Sequence, residues 1–237
     1  MNERIKSVLI KANIIRKTVR SYFTNRSLVV TFFHKMYYRQ GEKTLWHTSW
    51  LGTKVLKCPL DLWVYQEILY ETKPDVIIEC GTKVGGSASY LASLCDLLGT
   101  GRIITIDVKD LPGKPTHPRV QYLLGSSTSE EIINKVKSLI KPGERVMVIL
   151  DSNHRARHVI QELELYHSLV TEGNYLIVED TNINGHPVYT NYGPGPMEAV
   201  RKFLKNNKDF IVDRDREKYY LTFNPGGYLK KISHPSL

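Results

Sequence analysis

Short runs of β-branched and aliphatic residues recur along the middle of the chain, at 76–78, 103–106, 120–124, 146–150 and 175–178. Runs of this length, bounded by Gly, Pro, Ser or acidic residues, predict buried strands. Between them the apolar positions change to helical spacing: Leu91, Leu94, Leu97 and Leu98 after the first run, then Ile132, Ile133, Val136, Leu139 and Ile140 after the third. Residues 158–170 continue the alternation after the fourth run, and Pro59 and Asp61 open an earlier helix carrying Leu62, Tyr65, Ile68 and Leu69. Strands alternating with helices predict a doubly wound α/β sheet with parallel strands. Beyond the fifth run come a Gly-, Pro- and Asn-rich segment at 181–196, a helix at 198–204, and two apolar stretches at 210–212 and 220–223, the last closed by Asn224-Pro225-Gly226-Gly227. Two strands in succession place an antiparallel strand near one edge, so the expected fold is a mostly parallel, seven-stranded sheet with one antiparallel strand.

The first quarter of the chain reads differently. Residues 3–22 put Ile5, Val8, Leu9, Ala12, Ile15 and Val19 on one side of a predicted basic amphipathic helix. Its expected place is against the core or a second subunit in a homo-oligomer, with contact to an anionic membrane surface as the other use. Residues 28–33 predict a short strand or buried segment, and Trp46 and Trp50 mark a loop whose aromatics pack or edge a pocket. The domain division is therefore a basic extension over 1–57 and a single α/β domain over 58–237.

Charge sharpens that division. The net charge is +9, but residues 1–57 hold 12 Lys and Arg against two acids, a net +10, leaving 21 against 22 in the remainder. A nearly neutral domain does not support a nucleic-acid face around the site. The three cysteines, Cys58, Cys80 and Cys95, are odd in number and lack metal spacing, so a reducing, cytoplasmic location is expected. No stretch has the length of a membrane span.

The chemistry begins where the first strand ends, in Glu79-Cys80-Gly81-Thr82-Lys83-Val84-Gly85-Gly86-Ser87. Glycines after a strand let backbone approach a nucleoside, and Asp107, closing the next strand, is placed to accept from two ribose hydroxyls. The spacing is not the G-x-G-x-x-G of dinucleotide sites, and no flavin motif is present. A carboxylate ahead of the turn suits a ligand with an ammonium and a sulfonium, and the turn resembles the first motif of class I S-adenosylmethionine-dependent methyltransferases. Farther on, two successive strands both end in acids, at Asp151 and at Glu179-Asp180. If those strands are neighbours, three carboxylates meet beside the nucleoside crevice and repel one another unless they share a cation. Mg²⁺ suits such oxygens; it would lower the pKa of a bound hydroxyl, and His154 is placed to take the proton.

Taken together, the Glu79 to Ser87 turn, Ile-Thr-Ile-Asp107, Gly125-Ser126-Ser127, Asp151-Ser152-Asn153-His154 and Glu179-Asp180 resemble the cephalosporin hydroxylase family. That family is similar to macrolide-sugar and rhamnosyl O-methyltransferases and, more distantly, to catechol-type enzymes. The resemblance also takes in Glu162-Leu163, Gly185-His186-Pro187 and Leu221-Thr222-Phe223-Asn224-Pro225. It implies a Rossmann-like class I methyltransferase, with S-adenosylmethionine held by Glu79, Gly81, Thr82, Gly85, Ser87, Asp107, Ser126, Ser127 and Asp151. It further implies Mg²⁺ on Asp151, Glu179 and Asp180, with Asp151 and His154 catalytic. The expected reaction is direct in-line methylation of a hydroxyl on a sugar or glycosylated small molecule, with 181–196 as a lid. The other reading is a non-catalytic cofactor-binding partner in a two-component hydroxylase and methoxylation system; the acidic cluster argues against it.

Overall fold

The computed structural model describes residues 26–233. The expected amphipathic helix at 3–22 lies outside them. The described chain begins with α1 (Arg26–Arg39), a tight turn and a small antiparallel pair, β1 (Ser49–Trp50) with β2 (Thr53–Lys54), and then α2 (Pro59–Thr72). The alternating region follows: β3 (Val76–Cys80), α3 (Gly86–Leu98), β4 (Arg102–Asp107), β5 (Val120–Leu124), α4 (Glu130–Leu139), β6 (Val146–Leu150), α5 (Ala156–Tyr166) and β7 (Tyr175–Val178). It ends with α6 (Pro196–Asn206), β8 (Phe210–Val212) and β9 (Tyr228–Lys231).

The seven-stranded sheet has the order β5-β4-β3-β6-β7-β9-β8, parallel except that β9 runs antiparallel to both neighbours. Strand order therefore reverses between β3 and β6, which opens a crevice at their carboxyl ends. Successive residues of the central strands face opposite layers, as the pleat requires. Ile78, Cys80, Val148 and Leu150 pack with Leu163, Tyr166 and Phe203 of α5 and α6. Ile77, Met147, Ile149 and Ile177 pack on the other side with Tyr65, Ile68 and Leu91 of α2 and α3. Both faces are thus covered, which is why these strands read as continuous apolar runs. All three cysteines are buried and free. Among the described residues no helix is long and apolar enough to cross a membrane.

Two expectations about elements need correction. Residues 28–33 are part of α1, neither a strand nor a buried segment: Leu28, Val29, Phe32 and Phe33 are exposed. The β-branched pair Val29-Val30 suggested extended chain, but helical spacing lets His34, Tyr37 and Tyr38 pack around Phe223, at ring separations of 5.7, 6.0 and 5.5 Å. Residues 220–223 are likewise not the last strand. Leu221 and Phe223 are buried in a separate small cluster with Cys58, and the ladder beside β7 is made by β9, after the Pro-Gly-Gly turn. An apolar run marked burial there, and only pairing distinguishes a buried loop from a strand.

Candidate functional site

A cavity of about 650 Å³ opens at the carboxyl ends of the parallel strands. Parallel register brings its parts together: Cys80 pairs with Leu150, and Leu150 with Val178, so the turn after β3, Asp151 and Glu179-Asp180 emerge side by side. Gly81 makes the turn possible. Its φ is +109°, and a Cβ there would lie 2.0 Å from the Asp151 carbonyl oxygen, so no other residue fits.

On the β3–β5 side, Gly81, Thr82, Ser87, Asp107, Ser126 and Ser127 all line the cavity. The Asp107 carboxylate is pinned by backbone donors: Lys83 N–H to Oδ2 at 2.8 Å and Lys109 N–H to Oδ1 at 3.0 Å. Each oxygen retains a lone pair for a further donor, as two ribose hydroxyls require. Ser127 Oγ donates to Glu162 Oε1 at 2.6 Å, as does Ser152 Oγ, so the buried Glu162 joins the loops after β5 and β6. Two residues expected on the cofactor do not line the cavity. Gly85, at φ +77°, serves the turn, where a Cβ would meet the Tyr122 hydroxyl at 2.9 Å. Glu79 is fully buried, accepting from Ser87 Oγ and, at 2.7 Å, from Thr105 Oγ1. Burial pushes its carboxyl up to about 7, against the pull of Lys57, Ser87 and Thr105.

On the β6–β7 side, Asp151, His154 and Asp180 offer possible ligand atoms within 4.8 Å of one another. His154 lies between the two acids, with Nε2 at 3.2 Å from Asp151 Oδ1 and Nδ1 at 3.3 Å from Asp180 Oδ2. Burial disfavours the charged ring, but Asp180 and Asp151 outweigh it and hold His154 up at about 9. Asp180 is itself raised, by burial and by repulsion from Asp151 and Glu179. Its backbone is left-handed, with φ +53°, and its N–H donates to Asn224 Oδ1 at 3.0 Å. Asp tolerates that conformation better than most residues, and the fully buried Asn224 secures it.

Glu179 is not within that trio. Its Oε1 accepts from Lys57 Nζ at 2.6 Å and from the Tyr65 hydroxyl. Lys57 also reaches Asp151 Oδ2 at 2.7 Å and is only 3 % exposed. Lys57, Tyr65 and Asn224 are the site residues that sequence reasoning missed; one basic residue among the twelve Lys and Arg of residues 1–57 carries no signal of its own. The drawn boundary between 57 and 58 thus runs through the site.

The 181–196 loop stands beside these strand ends. Arg155 stacks on Tyr192 at 4.3 Å and donates to its carbonyl at 2.5 Å; Asn184 Oδ1 accepts from Gly193 N–H at 3.0 Å; Glu198 takes both His186 and the Gly195 N–H at 2.7 Å. Tyr189 and Tyr38, 5.2 Å apart and edge to face, meet at the cavity wall with Trp46. Trp50 instead packs on Tyr90 at 4.9 Å and donates to Ser93.

Known proteins resemble this chain in sequence and in fold. Residues 42–232 match the family model described as rhamnosyl O-methyltransferase/CmcI. A rhamnosyl O-methyltransferase of Mycobacterium leprae (strain TN) is 37% identical over 205 residues, covering 83% of this chain and 88% of that protein. Among solved structures, a CmcI apo structure superposes with TM-score 0.62 at 22% identity, over 79% of this chain and 77% of the other. A CmcI structure with Mg and SAM gives TM-score 0.60 at 22% identity, over 78% and 77%.

Proposed function

The chain belongs to the rhamnosyl O-methyltransferase/CmcI family and is an S-adenosylmethionine-dependent O-methyltransferase; we propose that it acts on a hydroxyl of a sugar or glycosylated small molecule, with Mg²⁺ at the acid cluster and direct in-line transfer. The observation that carries this reading is the meeting of Asp151, His154 and Asp180 within 4.8 Å, in the same cavity as Gly81 and Asp107.

The residues present fit both groups. The glycine turn and a doubly pinned Asp107 suit a nucleoside. Two carboxylates with an imidazole between them, and a third carboxylate nearby, are a hard, anionic donor set suited to a divalent ion. When bound, S-adenosylmethionine would supply an electrophilic methyl, and Mg²⁺ the positive charge that lowers a hydroxyl's pKa and offsets the carboxylate field on His154. Asp151 and Asp180 are the residues that would hold the ion; Glu179 adds its charge through the shared Lys57. Asp107 holds the ribose, and Glu79, accepting from Ser87 and Thr105, braces the turn from beneath. His154 takes the proton at a ring nitrogen as the acceptor oxygen attacks. The walls formed by Tyr38, Trp46 and Tyr189 orient the acceptor and exclude water.

The test is methyl transfer from labelled S-adenosylmethionine to a panel of rhamnosides and other glycosides, with and without chelator. The expected product is a methyl ether on a sugar hydroxyl, lost on chelation and restored by Mg²⁺. Cofactor binding by calorimetry with no transfer to any glycoside would overturn the acceptor assignment and leave the non-catalytic partner reading.

A further inference from the structure

The helix α1 is apolar on two sides, and only one of them is packed. His34, Tyr37 and Tyr38 turn inward to Phe223. Away from that contact, Leu28, Val29, Phe32, Phe33 and Met36 stand 46 to 71 % exposed. Their spacings of one, three and four residues put all five on a single face. A helix that is apolar on both sides reads as a buried one, and an exposed patch of this kind marks a contact surface.

Charge selects what covers it. The helix holds Arg26, Lys35 and Arg39 and no acid, and residues 1–25, which lead into it, hold six Lys and Arg against one Glu. A second copy docking here, or residues 1–25 folding back over the face, would bring like charges together. An anionic lipid surface satisfies both features, taking the apolar side chains at the boundary between headgroups and acyl chains while the cations meet phosphates. Lys35 and Arg39 are placed for this, three and seven residues beyond Phe32 along one edge of the exposed face. At about 1.5 Å per residue the 14 residues of α1 are too short to cross a bilayer core of about 30 Å, so the helix would lie along the surface.

We propose that the outer face of α1 docks the protein on an anionic phospholipid surface. The contact is tied to the cavity through the same segment: Tyr38 of α1 lines it, as does Trp46, whose backbone N–H donates to the Gly41 carbonyl just past the helix at 2.9 Å. The inference goes beyond the metal and acceptor assignments and does not depend on them.

The experiment is co-sedimentation of the full chain with phosphatidylcholine vesicles containing about one-third phosphatidylglycerol, and with pure phosphatidylcholine vesicles, at about 0.1 M salt. The wild-type chain partitions about tenfold or more in favour of the anionic vesicles. Phe32→Gln/Met36→Gln removes apolar area without changing charge; it binds anionic vesicles about tenfold more weakly, with S-adenosylhomocysteine affinity unchanged by calorimetry. Lys35→Gln/Arg39→Gln removes two charges, weakens binding about tenfold, and carries the test if the first variant does not fold. A wild-type chain that stays in the supernatant, or sediments equally with both kinds of vesicle, overturns the proposal. So does wild-type binding by either folded variant, which would put the contact in residues 1–25 instead. A wild-type dimer that ignores vesicles and dissociates in Phe32→Gln/Met36→Gln would assign the face to a second copy and overturn it as well.

Discussion

The two sides of the cavity are built from different materials. At the ends of β3, β4 and β5 the wall is largely backbone: Gly81 lies against the Asp151 carbonyl, and main-chain N–H groups hold the Asp107 carboxylate. At the ends of β6 and β7 it is side chains, and charged ones, with a buried cation that comes from 94 and 122 residues away to meet Asp151 and Glu179. Backbone approach needs small residues at fixed local spacing, so it leaves a motif. Charge compensation needs only that a cation arrive, and any part of the chain can deliver it. The glycine-turn side is thus a local device and the acidic side a tertiary one, and each should fail independently.

The largest effect comes from breaking the acidic side alone. Asp151→Ala should lower methyl transfer by a factor of about 10³ or more, while S-adenosylhomocysteine still binds within a few-fold of wild type by calorimetry. Full turnover in this variant after chelation would mean that the two sides are not divided as described. The converse variant is milder. Asp107→Ala removes an acceptor for two hydrogen bonds to a charged group and should weaken S-adenosylhomocysteine about 10- to 100-fold, with Mn²⁺ binding unchanged. Parallel loss of Mn²⁺ affinity would show the sides to be coupled.

The smallest effect concerns α1, whose Tyr38 lines the cavity. His34 of that helix is 4 % exposed, stacks on Phe223 at 5.7 Å, and pairs its Nε2 with Asn182 Nδ2 at 2.9 Å. Burial lowers its pKa from 6.5 to about 4, so between those values the unfolded chain binds more protons than the folded one. The stabilisation is complete above pH 6.5 and is lost as pH falls towards 4, by about 1–3 kcal/mol. Urea midpoints at pH 7 and pH 5 should differ less in His34→Phe than in wild type. An unchanged difference would rule out His34 as its source and leave α1 out of the acid response of the cavity wall.

Most of the sheet was legible because its order is repetitive. Apolar runs ending in glycine or acid marked β3, β4, β5, β6 and β7, and helical spacing marked α2 to α6. Legibility failed where the same apolar signal served a different neighbour. Val29 and Val30 belong to a helix because Phe223 supplies a surface for His34 and Tyr37; Leu221 and Phe223 are buried without joining the ladder. The site divided in the same way. Asp107, Asp151, His154 and Asp180 sit at strand ends that periodicity locates, whereas Glu79 turned inward to Ser87 and Thr105 rather than to the cavity.

By itself, the sequence determined the alternation of strands and helices, the glycine turn after β3 and the presence of acids at the ends of two strands, because each depends on residues close together in the chain. Only the tertiary structure decided that Glu179 meets Lys57 and Tyr65 while Asp151 and Asp180 meet His154, and that Asn224 holds the left-handed Asp180. Electrostatic matching in a buried site acts over ångströms of space, and distance along the chain carries no trace of it.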